Sequence, residues 1–213
     1  MESYKFYFSN KKFVWSFILG NIFLGTSLFV QYTASNYSTR VSSNHVTDII
    51  LSNIRVYDVD ALFVWGAVLL LVAGIYLAVK NINYAPFMMK SIALFTIIRS
   101  IFVSLTHISP FPTQATISST FFQHSWFNGI FNGNDLFFSG HTGVPFLLAL
   151  IFWDNKKLRY MFLGFSLVLG TVVLLGHFHY SIDVFAAYFI TFSIFSICKF
   201  LFKKDLETFR EKR

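Results

Sequence analysis

Six apolar stretches divide the chain, each closed at both ends by polar or charged residues. A helix needs roughly 17–25 mainly apolar residues to cross a bilayer's hydrocarbon core. The pattern places such helices over Phe13–Val30, Ala61–Val79, Ser91–Leu105, a segment from about Ser139 to Trp153, Tyr160–Gly176 and Ile182–Phe202. The intervening segments are a polar amino-terminal stretch (Met1–Lys12), a loop rich in Ser, Thr and Asn (Gln31–Asp60) and a short connection (Lys80–Lys90). A longer loop (Thr106–Gly133), a tight basic loop (Asp154–Arg159) and a charged tail (Lys203–Arg213) follow. The expectation is an all-α membrane protein with six transmembrane helices in a single domain, residues 1–213, with no internal repeat. The basic flank of the first stretch resembles a signal peptide, but no small-residue cleavage site follows cleanly, so a retained helix is expected.

Composition supports this reading. The 213 residues are 55% hydrophobic, 20% aromatic and 13% charged, whereas a soluble domain carries about 25% charged residues. Twenty-nine phenylalanines would not fit one soluble core of this size. The net charge of +7 raises the possibility of a nucleic-acid partner. The basic residues are spread between apolar spans, however, and form no single patch, so membrane topology explains them better. Fourteen of the seventeen Lys and Arg fall on one side of a six-helix arrangement. The positive-inside rule then puts both termini in the cytoplasm and the third loop and the fifth-to-sixth turn on the extracytoplasmic side. The lone Cys198 cannot form an internal disulfide and is expected to be a small buried hydrophobe. Asn36-Tyr37-Ser38 is a sequon, relevant only in a glycosylating compartment.

Two stretches carry candidate chemistry: Asp135-Leu-Phe-Phe-Ser-Gly-His141-Thr142 and His177-Phe-His179-Tyr-Ser-Ile-Asp183-Val184. His179 and Asp183 are four residues apart. At a helix start they share a face, and the carboxylate can accept a hydrogen bond from one imidazole nitrogen. That arrangement leaves the second nitrogen to attack or to take a proton. Ser139-Gly140 forms a turn ahead of His141, and the amides at a helix start suit a phosphate oxygen. By the expected topology His141, His179 and Asp183 share one membrane face, with Arg99 within reach from the third helix. A guanidinium inside a span is costly unless it meets a polar cavity, and its geometry matches phosphate. A zinc site of His141, His177, His179 and Asp183 competes with this reading, but it leaves Arg99 unexplained beside a cation. Solvated positions are expected for His45, His107 and His124. The aromatic run Phe121–Phe131 suits the headgroup level or a wall around a lipid.

These residues resemble the motifs of the type 2 phosphatidic acid phosphatase (PAP2) superfamily: an Arg on an earlier helix, Ser139-Gly140-His141, and His179 with Asp183. Within it they are similar to the sphingomyelin synthase branch, whose His-x-His-Tyr-(Thr/Ser)-Ile-Asp-Val element is matched throughout by His177–Val184. Its Asp-x-x-Phe-Ser-Gly-His-Thr-like element corresponds to Asp135–Thr142 less one residue of spacing, and the resemblance covers roughly residues 91–188. It implies a PAP2-like bundle and a membrane lipid phosphotransferase or phosphodiesterase without a cofactor or metal. A phosphoryl headgroup would pass from a glycerophospholipid to a ceramide-like lipid alcohol, or to water. The implied roles are His179 as nucleophile, oriented by Asp183, and His141 as acid and base. Arg99, Ser139 and Gly140 would hold phosphate oxygens. Asp135 would orient His141, bind a headgroup amine or cap the fourth helix. Ordinary phosphatases of the superfamily carry further basic residues, but here Ser100 follows Arg99 and Val173 stands where another Arg is expected. A site with one arginine suits a singly charged phosphodiester better than a monoester. The alternatives are a phosphatase of phosphatidic acid or a polyprenyl diphosphate, and a non-catalytic membrane protein. The implied partners are the lipid substrates and the membrane, without nucleic acid.

Overall fold

The computed structural model describes residues 2–117 and 136–210. They form helices α1 (Glu2–Ser9), α2 (Lys11–Val41), α3 (Asp60–Lys80), α4 (Ala85–Leu105), α5 (Gly140–Ile151), α6 (Lys156–Leu175), α7 (Ser181–Leu201) and α8 (Lys203–Arg210), with a 3-10 turn at Ile82–Tyr84 before α4. There is no strand among the described residues. Five of these segments are long and apolar enough to cross a membrane: α2, α3, α4 with its preceding turn, α6 and α7. Their exposed surfaces are apolar, as on α3, where Leu62, Trp65, Leu69, Val72 and Tyr76 all face outward. These properties support an integral membrane protein.

Three expectations change. The fourth apolar stretch is a helix of only 12 residues, about 18 Å at 1.5 Å per residue, so it falls short of a bilayer core of about 30 Å. The first helix does not stop at Val30 but runs to Val41, taking in the first third of the expected loop. The reason is its buried face: Gln31, Ala34, Ser35 and Ser38 are polar or small, and all pack inside the protein. The expected connection Lys80–Lys90 is largely helical, since Pro86 sits at the first turn of α4 where its fixed φ is tolerated.

Helices α2 and α4 run side by side. Phe13, Gly20, Ser27 and Ala34 recur at seven-residue spacing along the buried side of α2, the repeat that keeps one seam facing a neighbour. Small side chains at such a seam let backbones approach where lipid offers no hydrophobic gain. The Ser100 hydroxyl on α4 donates to Gln31 Oε1 at 3.0 Å.

The bundle has two chemically different ends. At one end the tail is fastened by Lys90, whose Nζ lies 2.7 Å from Asp205 and 2.6 Å from the Ser16 hydroxyl. Tyr4 reaches the Val79 carbonyl there as well. At the other end the connections bond to one another: Ser43 N–H donates to the His107 carbonyl (2.8 Å), Tyr57 N–H to that of Leu175 (2.9 Å) and Ala115 N–H to that of Gly176 (2.9 Å). The motif residues lie at this second end, opposite both termini.

Gly143 lets α5 enter the bundle. A Cβ on it would meet Phe95 Cε2 and Cζ at 2.7 Å and Thr191 Oγ1 at 2.9 Å. Gly143→Ala is therefore expected to lower stability by about 1–3 kcal/mol, the usual cost of overpacking. Thermal unfolding of detergent-purified protein measures it, and an unchanged Tm would show that α5 can shift without cost.

Candidate active site

Residues 136–139 lead into α5 by descending alongside the last turns of α4. The Thr106 hydroxyl donates to the Leu136 carbonyl at 2.9 Å. Phe137 stacks on Phe102 with centroids 5.1 Å apart, and Arg99 Nε donates to the Phe138 carbonyl at 3.2 Å. From Thr106 to Arg99 is about two helical turns, so α5 begins about 10 Å below the end of α4. This descent accounts for the shortness of α5. Non-helical backbone at that depth is tolerated only when the protein satisfies its polar groups, and here Arg99, Thr106 and α7 do so. Phe137 has φ 139°, a strained value of the kind that gathers at functional sites when the surroundings hold it.

The Ser139 N–H donates to the Asp183 carbonyl at 2.9 Å, joining the start of α5 to the start of α7. The Ser139 side chain is fully buried and caps α5 by accepting from the Thr142 N–H at 3.4 Å. Its hydroxyl therefore acts on the helix, and the Gly140 backbone is the part next to Arg99. A Cβ on Gly140 would lie 3.6 Å from Arg99 Nε and 3.9 Å from Cζ, an ordinary contact that would cover the guanidinium. The guanidinium is buried, with Arg99 7% exposed.

His179 and Asp183 meet, though not on a shared helix face: α7 begins at Ser181, so His179 lies in the turn before it and Asp183 in the first helical turn. His179 Nδ1 lies 3.2 Å from Asp183 Oδ2, and the residues are 5% and 2% exposed. An Nδ1–H there donates to the carboxylate and leaves the Nε2 lone pair for chemistry. The same Oδ2 accepts the Tyr180 N–H at 3.1 Å, so the carboxylate also holds the entry to α7. His141, half-buried at the start of α5, stacks against Phe63 of α3 with centroids 4.0 Å apart and planes inclined by 25°. Phe63 also packs on Phe178, 4.4 Å away and next to His179. This one ring links the neighbourhoods of both histidines.

Arg99, Ser139, Gly140, His141, His179 and Asp183 thus form one connected cluster. Asp135, His124 and the aromatic run Phe121–Phe131 lie outside the described residues. His45 is exposed as expected, whereas His107 is half-buried, with Nε2 3.2 Å from the Ser104 carbonyl. Cys198 is free and buried, as expected. His177 Nδ1 lies 2.7 Å from the Thr113 hydroxyl, and among the described residues no group of three or more His, Cys, Asp and Glu is arranged to hold a metal ion.

Sequence reasoning passed over Phe63 and Asp48. Nothing in α3 singles out Phe63 among so many aromatic residues. Asp48 had a signal, since an aspartate before Ile49-Ile50-Leu51 has the form of a local turn cap. Its Oδ1 accepts the N–H groups of Ile50 (2.9 Å) and Leu51 (3.0 Å), and its Oδ2 accepts that of Ser181 at 2.6 Å. The amino end of α7 thus already carries two carboxylates, Asp48 and Asp183. The start of α5, beside Arg99, is the end suited to an anion.

Two groups outside the spanning helices give a pH dependence. Burial holds the His177 imidazole below its ordinary value of 6.5, against the raising pull of the Asp48 charge. Burial alone would raise the Asp48 carboxyl, but hydrogen bonds from Leu51, Ser181 and Ile50 outweigh it and hold the group below 3.8. Both groups bind protons less readily when folded, so their stabilisation grows with pH. The His177 share is complete above 6.5 and is lost as pH falls through the lower folded value. The Asp48 share is complete above 3.8 and is lost below it. The expected result is a Tm that falls on acidification from about pH 7, with Asp48→Asn removing the part lost at the lowest pH and, by taking its charge from His177, enlarging the His177 part. A Tm unchanged down to pH 5 would rule out the His177 share.

Residues 132–200 match the family model described as PAP2 superfamily C-terminal. Over those residues the chain is similar to the PAP2 superfamily. The match covers Ser139-Gly140-His141 and His179 with Asp183, the parts of the cluster on and beside α5 and α7, but not Arg99 on α4. No curated protein and no solved structure matches the chain.

Proposed function

We propose that this protein is a membrane lipid phosphotransferase or phosphodiesterase that moves a phosphoryl headgroup from a glycerophospholipid to a ceramide-like alcohol or to water. The observation that carries the reading is the His179–Asp183 pair, 3.2 Å apart and buried, tied by the Ser139–Asp183 backbone bond to the helix start beside Arg99. In this reading His179 Nε2 attacks the headgroup phosphorus. The bond from phosphorus to the diacylglycerol oxygen breaks, and His141 gives that oxygen a proton. The resulting phosphohistidine is kept in one tautomer by Asp183. His141 then takes the proton of the acceptor hydroxyl, which attacks phosphorus and releases His179. Arg99 and the Gly140 backbone steady the non-bridging oxygens as charge builds on them. Among the described residues Arg99 is the one buried Lys or Arg of the cluster, which suits a diester with a single negative charge.

Both termini are placed in the cytoplasm and the site on the extracytoplasmic side of the cell membrane. The distribution of Lys and Arg supports this orientation, as does the position of the cluster at the end of the bundle away from the termini.

The test uses purified protein in lipid vesicles without added metal. The substrates are headgroup-labelled phosphatidylcholine and phosphatidylethanolamine, with and without ceramide, and phosphatidic acid. A ceramide phosphodiester establishes transfer, and soluble phosphocholine or phosphoethanolamine establishes hydrolysis. Inorganic phosphate from phosphatidic acid alone would overturn the reading in favour of a phosphatase.

A further inference from the structure

We propose that Asp48, in the loop between α2 and α3, is a positioning residue for His179. This rests on the reading of His179 as the nucleophile.

The residue is buried (7% exposed) although it lies in a largely exposed loop. A carboxylate in that position needs several donors, and it has them from two separate parts of the chain. Oδ1 closes the local turn through Ile50 and Leu51, while Oδ2 crosses to the N–H of Ser181, the first residue of α7, at 2.6 Å. A charge-assisted bond of this kind at a helix start is among the stronger polar contacts available.

The turn it fastens is the one that carries His179. His177 has φ 54°, a left-handed conformation that is uncommon for a residue with a side chain, so the turn needs holding from outside. The contacts that do this include Thr113 on His177, the Tyr180 hydroxyl donating to the Ser109 carbonyl at 2.8 Å, and Asp48 on Ser181. The Asp48 contact is the one of these that grips the backbone between His179 and Asp183, at the Ser181 N–H. The Val46 N–H donates to the Tyr180 hydroxyl at 3.2 Å, so the same loop meets the turn twice. Asp48 does not touch a reacting atom. It sets the angle at which the turn enters α7, and through that the approach of His179 to Asp183. A displacement of about 1 Å in such a geometry costs on the order of a hundredfold in rate.

Two variants break the link from opposite sides. Asp48→Asn removes the charge and one acceptor. Ser181→Pro removes the donor, and its ring would stand where the Asp48 oxygen now is. Proline is well accepted at the first position of a helix, and Tyr180, at φ −68° and ψ 156°, already has the extended conformation required before proline. In the vesicle assay both variants are expected to lower kcat by about tenfold or more, with KM within about twofold of wild type. The independent readout is the His179 Nδ1–H resonance in histidine-labelled protein, assigned with His179→Gln, which is expected to shift in both variants. A folded variant that keeps kcat within twofold, or leaves that resonance unmoved, overturns the proposal. If Asp48→Asn does not fold, Ser181→Pro decides. If the wild type turns over none of the lipids, the functional reading fails, and the resonance alone decides whether Asp48 positions His179.

Discussion

Replacing His179 with alanine is expected to abolish turnover, by at least about a thousandfold, while leaving the fold intact. The size follows from what is removed: without a nucleophile the covalent route closes, and only binding and electrostatic stabilisation remain. The fold should survive because the contacts that start α7 do not need the imidazole. Asp183 still accepts the Tyr180 N–H, the Ser139 N–H still reaches the Asp183 carbonyl, and Asp48 still holds Ser181. The loss does leave one buried carboxylate oxygen with a single partner in place of two, which costs about 1–3 kcal/mol. Turnover per folded protein in the vesicle assay, together with Tm in detergent, separates the two effects. Wild-type turnover in His179→Ala would exclude the phosphohistidine route.

Arg99→Lys is expected to cost about a hundredfold to a thousandfold in kcat/KM, although the positive charge is kept. The guanidinium plane is fixed by the Nε bond to the Phe138 carbonyl at the start of α5, and lysine has no counterpart to Nε part-way along its stem. An ammonium would have to choose between that carbonyl and the phosphate, without the bidentate fork that matches phosphate oxygens. The expected loss is that seen when one preorganised oxyanion donor is removed. Arg99→Ala should be worse, since it also leaves the Phe138 carbonyl unpaired at membrane depth. The comparison is kcat/KM for wild type and both variants on the same labelled lipid. A lysine variant within threefold of wild type would show that charge alone suffices.

Much of this protein could be read from the order of its residues. The apolar stretches follow from a requirement local to each segment, that every backbone polar group in lipid be satisfied within its own helix. The His179–Asp183 pair was legible in part: Asp183, in the first turn of α7, reaches back over the residues just before the helix, but His179 lies outside α7 in a turn that other segments hold. The Ser139 cap of α5 was not read from the sequence, where Asp135 was offered as a cap of that helix, although a serine just before the first helical residue carries that signal. The length of α2 was not legible, because Gln31, Ser35 and Ser38 look like loop residues until α4 is set against them. The start of α5 two turns below the end of α4 depends on Arg99 and Thr106 receiving the carbonyls of 136–138, bonds that cross thirty or more residues of chain.

By itself, then, the sequence determined a helical membrane protein with a histidine–carboxylate pair and a second histidine at helix starts, because those features depend on residues within one or two turns of each other. Tertiary structure alone decided that Arg99 stands beside Gly140, that Phe63 stacks on His141 and that Asp48 fastens α7. Each of these contacts joins separate segments, and the spacing of residues along one segment carries no record of what another segment presents to it.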